Sequence, residues 1–253
     1  MKIDLDEKEV LMCVEFAEDA WNLRSQSQKH FGGSKRTKEQ FIADQIEGKL
    51  AECIFSKFMK EKGTEISLDF DHYEGELNTD SGDLTFNKNG VIFEVPVDIK
   101  GTSHFAQWLL VEEYKFFDIN TRLHKSRAFV LIAFDKTFPG NRVLRENPRA
   151  ILNQRISGEC KGWAKIEDFY ANDKGLWFSW RRGNYPWQGR VLPAAVPYNR
   201  VALERYLQKS VPGCEERERA TKISVPLDAE LNYGLPVKWL KNNWTDFISE
   251  YIK

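Results

Sequence analysis

The 253-residue chain lacks the sequence features of several large classes of protein. No apolar run approaches the roughly 18 residues that a membrane-spanning helix needs. The first residues do not show the basic-then-apolar order of a signal peptide. The four cysteines are far apart and include no C-x-x-C pair, so the paired ligands of a structural zinc site are missing. We therefore expect a cytoplasmic protein with reduced thiols and no membrane partner.

An excess of charge of one sign is also missing. Lys and Arg number 37 and Asp and Glu number 38, which gives a net charge of −1. This balance argues against a protein that coats nucleic acid non-specifically. A local basic groove is still compatible with it, because the field at a cleft depends on where the charges lie. The hydrophobic fraction of 42% can fill a core, so disorder is not expected.

Hydrophobic periodicity predicts two helices in the first quarter of the chain. Residues 4–24 carry apolar side chains at helical spacing, with Asp4 as the cap and Glu7 as its capping-box partner. Residues 38–60 carry a longer apolar stripe, which ends before Gly63, a residue suited to a left-handed cap. The polar, glycine-rich and basic stretch between the two helices is expected to be a mobile loop.

A β-hairpin is the clearest pattern of the first half. Residues 83–86 form a short arm, residues 87–90 form a turn whose Asn-Gly pair supplies positive φ, and residues 91–101 form a longer arm. Apolar residues alternate along the second arm and give it one buried face. Because Pro96 cannot donate to a sheet ladder, we expect a bulge or a sheet edge just before Asp98.

The remaining segments are expected to be shorter. The sequence predicts a short helix at 108–118, a strand buried on both faces at 127–134, a basic helix at 144–156, a strand-turn or helix at 163–170, and helices at 200–209 and 237–252. A Pro-Gly pair at 139–140 marks a break, beyond which the character of the sequence changes. We therefore expect three segments: an N-terminal helix and basic loop (1–37), a core (38–138) and a C-terminal extension (139–253).

The residues near the end of the hairpin suit phosphodiester hydrolysis, which needs charge neutralisation and an activated water, as a carboxylate-held divalent metal provides. Asp98 and Lys100 lie two apart on a strand, so they project from the same face. Asp98 can hold a metal while Lys100 orients or deprotonates water and offsets charge. Antiparallel pairing can return Asp83 close to Asp98. An exposed strand face is the alternative for the Asp98–Lys100 pair.

Three short segments carry a resemblance to a known family. They are residues 48–52 (GKLAE) on the second helix, 82–84 (GDL) at the first arm and 97–101 (VDIKG) at the second. In this order they resemble the PD-(D/E)xK nuclease superfamily over about residues 38–135. Gly82 stands where the family motif has Pro.

The resemblance implies an α/β fold (mixed α+β): a restriction-endonuclease-like central mixed sheet flanked by helices, here with a C-terminal extension. It implies that Asp83, Asp98 and the backbone carbonyl of Ile99 bind Mg²⁺, with Mn²⁺ as a substitute. Lys100 matches the lysine of the motif. Glu52 matches the helix acid, which orients metal-bound water or a second metal, and Glu47 is a rival for that role.

The function that follows from the resemblance is Mg²⁺-dependent hydrolysis of DNA to 5′-phosphate products. Restriction or defence is the expected setting, with repair or recombination as alternatives, and a homodimer would cut both strands. A rival from another class is a non-catalytic nucleic-acid-binding or scaffold protein on the same fold. A third reading is an unrelated enzyme in which the Asp-x-Lys triplet is accidental.

Candidate substrate-binding residues lie in three places. They are Lys35 and Arg36 in the basic loop, Gln107 after the motif, and Arg181, Arg182 and Arg190 in a tryptophan-rich stretch. Arginine suits phosphate and guanine, and aromatic rings stack on unpaired bases. The alternatives are a basic loop without a partner and arginines that snorkel from a tryptophan core. His104 as a general base is a further hypothesis, with an ordinary structural histidine as its alternative.

Overall fold

A computed structural model describes residues 1–23, 30–31, 34–35, 37–68, 70, 84–88, 91–106, 108–117, 123–169, 179–181, 191–192 and 231–252. The chain divides into two compact units. The first comprises residues 1–106, 128–163 and 241–253, and the second comprises 107–127 and 164–240. Residues of the first and last helices belong to the same core cluster as residues of 38–106. The expected nuclease core (38–138) and the capping or substrate-binding extension (139–253) stay predictions.

The described helices are α1 (Glu7–Leu23), α2 (Lys38–Glu61), α3 (Glu113–Phe116), α4 (Gly140–Glu146) and α5 (Trp244–Tyr251). Short 3-10 helices cover Pro148–Ile151, Ile166–Phe169 and Val237–Trp239. The described strands are β1 (Lys2–Asp4), β2 (His30–Phe31), β3 (Ser34–Lys35), β4 (Ser67–Leu68), β5 (Leu84–Lys88), β6 (Val91–Val95), β7 (Val97–Thr102), β8 (Trp108–Glu112), β9 (Ala128–Phe134), β10 (Ser157–Lys165), β11 (Ser179–Arg181), β12 (Val191–Leu192) and β13 (Leu231–Pro236).

A four-stranded mixed sheet lies at the centre of the first unit, in the order β1-β10-β9-β7. Strands β7 and β9 are parallel, and β1 and β10 are antiparallel. Helices α1 and α2 flank it, and the shared core joins α1, α2, β7, β9 and α5. The expected mixed α+β class with a helix-flanked central mixed sheet is therefore confirmed. Among the described residues, no helix combines the length and apolarity needed to span a membrane.

Capping boxes set the start of both long helices. Thr37 and Gln40 hydrogen bond reciprocally at α2, as the sequence around that helix favours. At α1 the box is formed by Asp6 and Glu9, with backbone-to-carboxylate distances of 2.7 and 2.9 Å. The predicted cap at Asp4 is wrong, because Asp4 belongs to β1. The Gly residue predicted to end α2 does have positive φ, at 77°.

The predicted hairpin is present, with a first arm that extends further than expected and a second arm that ends earlier, at Val95. Strands β5 and β6 pair in antiparallel register from Leu84 opposite Val95 to Lys88 opposite Val91. The predicted four-residue turn is therefore too long, since its first two residues belong to the ladder. Pro96 separates β6, which pairs with β5, from β7, which pairs with β9 in the central sheet. Pro96, which has no backbone N–H to donate, therefore lies at the point where the chain passes from one sheet to the other.

Strand β9 is buried along its whole length, which confirms the prediction of a strand covered on both faces. On one face, Ala128, Val130, Ile132 and Phe134 join the core cluster around α2. A Cβ at Gly101 of β7 would lie 3.3 Å from the Cβ of Ala51 in α2. Glycine at this position therefore allows the helix to approach the sheet closely.

Several predicted elements are wrong in type or length. Residues 108–112 form β8, in which Leu109 and Val111 are buried in alternation, so the predicted helix at 108–118 shrinks to α3. The predicted helices at 144–156 and 237–252 each contain a short α-helix and a 3-10 turn. The four described residues of the predicted mobile loop form the β2–β3 pair. The predicted helix at 200–209 lies outside the described residues.

The second unit is built on its own antiparallel sheet, in the order β12-β11-β13-β8. In the first unit, Trp163 and Lys241 form an isolated antiparallel bridge with backbone N–O distances of 3.0 and 2.7 Å. The chain therefore leaves the first unit after residue 163 and returns to it at the same place.

Candidate active site

Two of the predicted catalytic side chains are in contact. Asp98 and Lys100 project from β7, and the Oδ2 to Nζ distance is 2.6 Å. Their side chains are 17% and 11% exposed, so this ion pair is largely shielded from water. The Lys100 Nζ atom is buried, and it has no hydrogen bond of normal geometry to any residue that the structure describes. The alternative of an exposed strand face is therefore wrong for these two residues.

Strand alternation places this ion pair on the face of β7 that points away from α2. Val97 and Ile99 share the face of Gly101, which approaches the helix. On the opposite face, the parallel register sets Asp98 beside Phe129 and Lys100 beside Leu131. Both neighbours are almost completely buried. The pair therefore lies in an apolar setting in which unbalanced charge is costly.

Glu52 lies between α1 and α2. Its Oε2 is 2.7 Å from the Lys49 Nζ, and the two side chains are 9% and 12% exposed. The Lys49 ammonium also lies 4.8 Å from the ring centre of Phe16 and 5.4 Å from that of Phe70. Glu52 is thus balanced by a cation that lies beside two aromatic rings in edge-on contact. Glu52 stands on α2, whereas the Asp98–Lys100 pair lies on the face of β7 that points away from this helix, so the structure does not bring Glu52 to the pair. Its catalytic role stays a prediction.

The remaining predicted residues fall largely outside the described part of the chain. Asp83, Arg36, Gln107, Arg182 and Arg190 belong to this group. Leu84, which follows the predicted metal ligand in the sequence, is buried and pairs with Val95. Lys35 lies in β3 and Arg181 in β11.

The metal expectation concerns Asp98, Asp83 and the carbonyl of Ile99. Within the residues that the structure describes, no group of three His, Cys, Asp or Glu side chains is placed to hold a metal ion. The predicted set includes Asp83, which is not among those residues. The Asp98 carboxylate is a hard oxygen ligand of the kind that Mg²⁺ prefers.

A cluster of polar side chains, of which the sequence singled out only Glu47, joins α2 to α4. Asn141 Nδ2 donates to Asp44 Oδ1 at 2.8 Å and to Glu47 Oε2 at 3.4 Å. Burial raises the pKa of Glu47, whereas the hydrogen bond from Asn141 lowers it. A Cβ added at Gly101 would lie 3.3 Å from the backbone oxygen of Glu47. The sequence signal for this cluster was the presence of two acids, Asp44 and Glu47, three residues apart beside the apolar stripe of α2.

His104 follows β7 in a tight turn, in which the Ala106 amide donates to the Ser103 carbonyl oxygen at 3.1 Å. It is exposed and makes an edge contact with Phe105, with 4.8 Å between ring centres. The hypothesis that His104 acts as a general base stays a prediction.

No family model, curated protein or solved structure matches this chain. The resemblance to PD-(D/E)xK nucleases is therefore carried by the motif residues alone.

Proposed function

We propose that this protein is a Mg²⁺-dependent nuclease that hydrolyses DNA phosphodiester bonds, acting in restriction or defence. The observation that carries the proposal is the Asp98–Lys100 ion pair, with its 2.6 Å contact, on a strand that enters the central sheet directly after a hairpin. The pair matches the Asp-x-Lys motif in sequence.

Burial of the pair supports a functional role. Removing two charges from water is expensive, and well-packed apolar residues in their place are often neutral or stabilising. The neighbours of the pair on β9 are Phe129 and Leu131, so an apolar alternative would suit this face. Ionisable groups kept in such surroundings are frequently part of a functional site.

In this proposal Mg²⁺ is held by Asp98, Asp83 and the backbone carbonyl of Ile99. When bound, the cation supplies a Lewis acid at the phosphate and lowers the pKa of water. Lys100 donates to an oxygen of the attacked phosphate and offsets the charge that develops in the transition state. The register of β7 with β9 fixes the backbone at Lys100 in the central sheet for this task.

Substrate contacts are assigned to the basic residues outside the core. Lys35, Arg36, Arg181, Arg182 and Arg190 bind phosphate, and Gln107 contacts the backbone next to the cleaved bond. Because the net charge of the chain is −1, DNA binding depends on these local positive charges. A homodimer would let two such sites cut both strands.

Methylated and unmethylated phage DNA, incubated with the purified protein and Mg²⁺ and resolved on a gel, tests the proposal. We expect cleavage of at least one DNA, and its loss in Asp98→Asn and Lys100→Met. The matched control is Lys2→Met with Asp135→Asn, which removes an exposed ion pair from the same unit. Cleavage that survives in both motif variants would show that the assignment is wrong.

The geometry also gives a second candidate some support. Asp98 is already neutralised by Lys100, as in a non-catalytic protein that keeps the fold for binding nucleic acid or a partner. Calorimetric titration with Mg²⁺ and Mn²⁺ separates the two candidates. Binding that disappears in Asp98→Asn favours the nuclease, and the absence of any binding favours the non-catalytic protein.

A further inference from the structure

Two buried cysteines face each other across the interface between α1 and α2. The Sγ atoms of Cys13 and Cys53 are 3.5 Å apart, and the residues are 0% and 5% exposed. A disulfide bond is about 2.05 Å long, so small side-chain rotations would bring the sulfurs into bonding range. We propose that Cys13 and Cys53 are an oxidative modification site, converted by a hydroperoxide into an intramolecular disulfide that links α1 to α2.

The surroundings make the first oxidation slow. The hydrogen bond with Cys53 and burial both raise the pKa of the Cys13 thiol, and the charge of Glu52 raises it further. Because the thiolate is the nucleophile, little of the reactive form is present at neutral pH. The interface also excludes bulky reagents, whereas hydrogen peroxide is close to water in size. The site therefore selects a small oxidant.

The second step is fast for a geometric reason. In the first step one sulfur attacks a peroxide oxygen, the O–O bond breaks, and sulfenic acid and water form. The neighbouring thiol sulfur then attacks the sulfenic sulfur, the S–O bond breaks, and water leaves with the remaining thiol proton. Two thiols and one peroxide thus give one disulfide and two waters. Since the sulfurs already touch, the second step is effectively unimolecular.

Cys160 provides an internal comparison. It lies on β10, is partly exposed, and has a pKa raised by burial. Among the cysteines that the structure describes, only Cys13 and Cys53 contact each other. A lone sulfenic acid with no thiol in reach proceeds to sulfinic and sulfonic acids. Cys160 contacts no other cysteine that the structure describes, so we expect oxygen adducts there and a disulfide at the pair. This difference does not depend on the proposed nuclease function.

The test is a hydrogen peroxide time course on the full chain, read by intact mass and by peptide mapping without reduction. We expect the loss of two hydrogen atoms and a linked peptide containing Cys13 and Cys53. This product should exceed oxygen adducts at the two positions by about tenfold or more, because the partner thiol is preplaced. Cys160→Ser should behave like the wild type at the pair.

Cys53→Ser is the matched variant, since it keeps the size of the side chain and removes the partner sulfur. Cys13 should then stay reduced or acquire oxygen atoms, with no linked peptide. The wild-type mapping needs no variant, so a folding defect in Cys53→Ser would leave the test intact. The proposal is overturned if Cys13 and Cys53 are both still reduced at the end of the exposure, or if oxygen adducts form at these positions in place of the linked peptide.

Discussion

Neutralising one partner of the Asp98–Lys100 ion pair should destabilise the protein by an amount that depends on which partner is changed. The substitutions are Asp98→Asn and Lys100→Met, which approximately conserve volume, and their combination. At 2.6 Å and an effective dielectric constant of about 20, Coulomb attraction is about 6 kcal/mol. Dehydration of both charges offsets much of this, so the net contribution is far smaller.

The structure predicts an asymmetry between the two single variants. In Asp98→Asn a buried ammonium loses its counter-ion, at a cost of about 3 kcal/mol. In Lys100→Met the remaining carboxylate is 17% exposed and can be hydrated in part, so we expect about 1 kcal/mol. The double variant removes both charges and should recover most of the loss seen in Asp98→Asn.

Urea unfolding followed by circular dichroism and tryptophan fluorescence measures these differences. A double variant no more stable than Asp98→Asn would refute the coupling. The same three proteins, assayed with DNA and Mg²⁺, separate stability from chemistry: the double variant should regain stability and stay inactive. A double variant that regains both would mean that the pair has only a structural role.

Three further predictions concern packing, pH and binding. Gly158→Ala should destabilise by about 1–3 kcal/mol, because its Cβ would lie 2.8 Å from an isoleucine methyl group and 3.0 Å from a carbonyl oxygen. Gly48→Ala is its control. None of the atoms that the structure describes lies within 4 Å of that Cβ, and the mid-helix change should stabilise by about 0.5–1 kcal/mol in urea unfolding. Burial raises the pKa of Glu47 in the folded state above its usual 4.5, so the folded state binds more protons than the unfolded state, and stability falls as pH rises from 4.5 through the folded-state pKa. Glu47→Gln should remove this fall in denaturation curves taken across that range. An unchanged pH profile in the variant would contradict the prediction. Arg181→Ala with Arg182→Ala should weaken DNA binding and flatten its salt dependence, and an equal slope in fluorescence anisotropy would count against a DNA-facing role.

Local patterns predicted the elements whose signals are local. The apolar stripe of α2 and the continuous apolar run of β9 each depend on neighbouring residues, and the structure agrees with both. Pro96 was predicted to disturb pairing, and the change of sheets at this residue has the same cause, a missing donor. In contrast, β8 pairs with β13, more than a hundred residues away. The local sequence of β8 gives no indication that this strand pairs with β13.

In the candidate site, too, local features were predictable and long-range contacts were not. The two-residue spacing of Asp98 and Lys100 predicted their common face, because alternation along a strand is a local property. The position of Glu52 could not be obtained in this way. Its surroundings depend on how α1 packs against α2, which brings Lys49 beside the rings of Phe16 and Phe70. The sequence of α2 alone contains no information about that neighbour.

The bridge between Trp163 and Lys241 has a consequence for protein engineering. Because paired strand residues stand about 5 Å apart, the intervening 164–240 segment begins and ends at nearly one point. A two-residue Asn-Gly connection could span that gap and yield a shorter chain, provided that residues 107–127, whose strand β8 pairs with β13, are replaced as well. Simple truncation after residue 163 is a poorer route, since it removes α5 and uncovers Phe55 and Phe58, which pack against that helix.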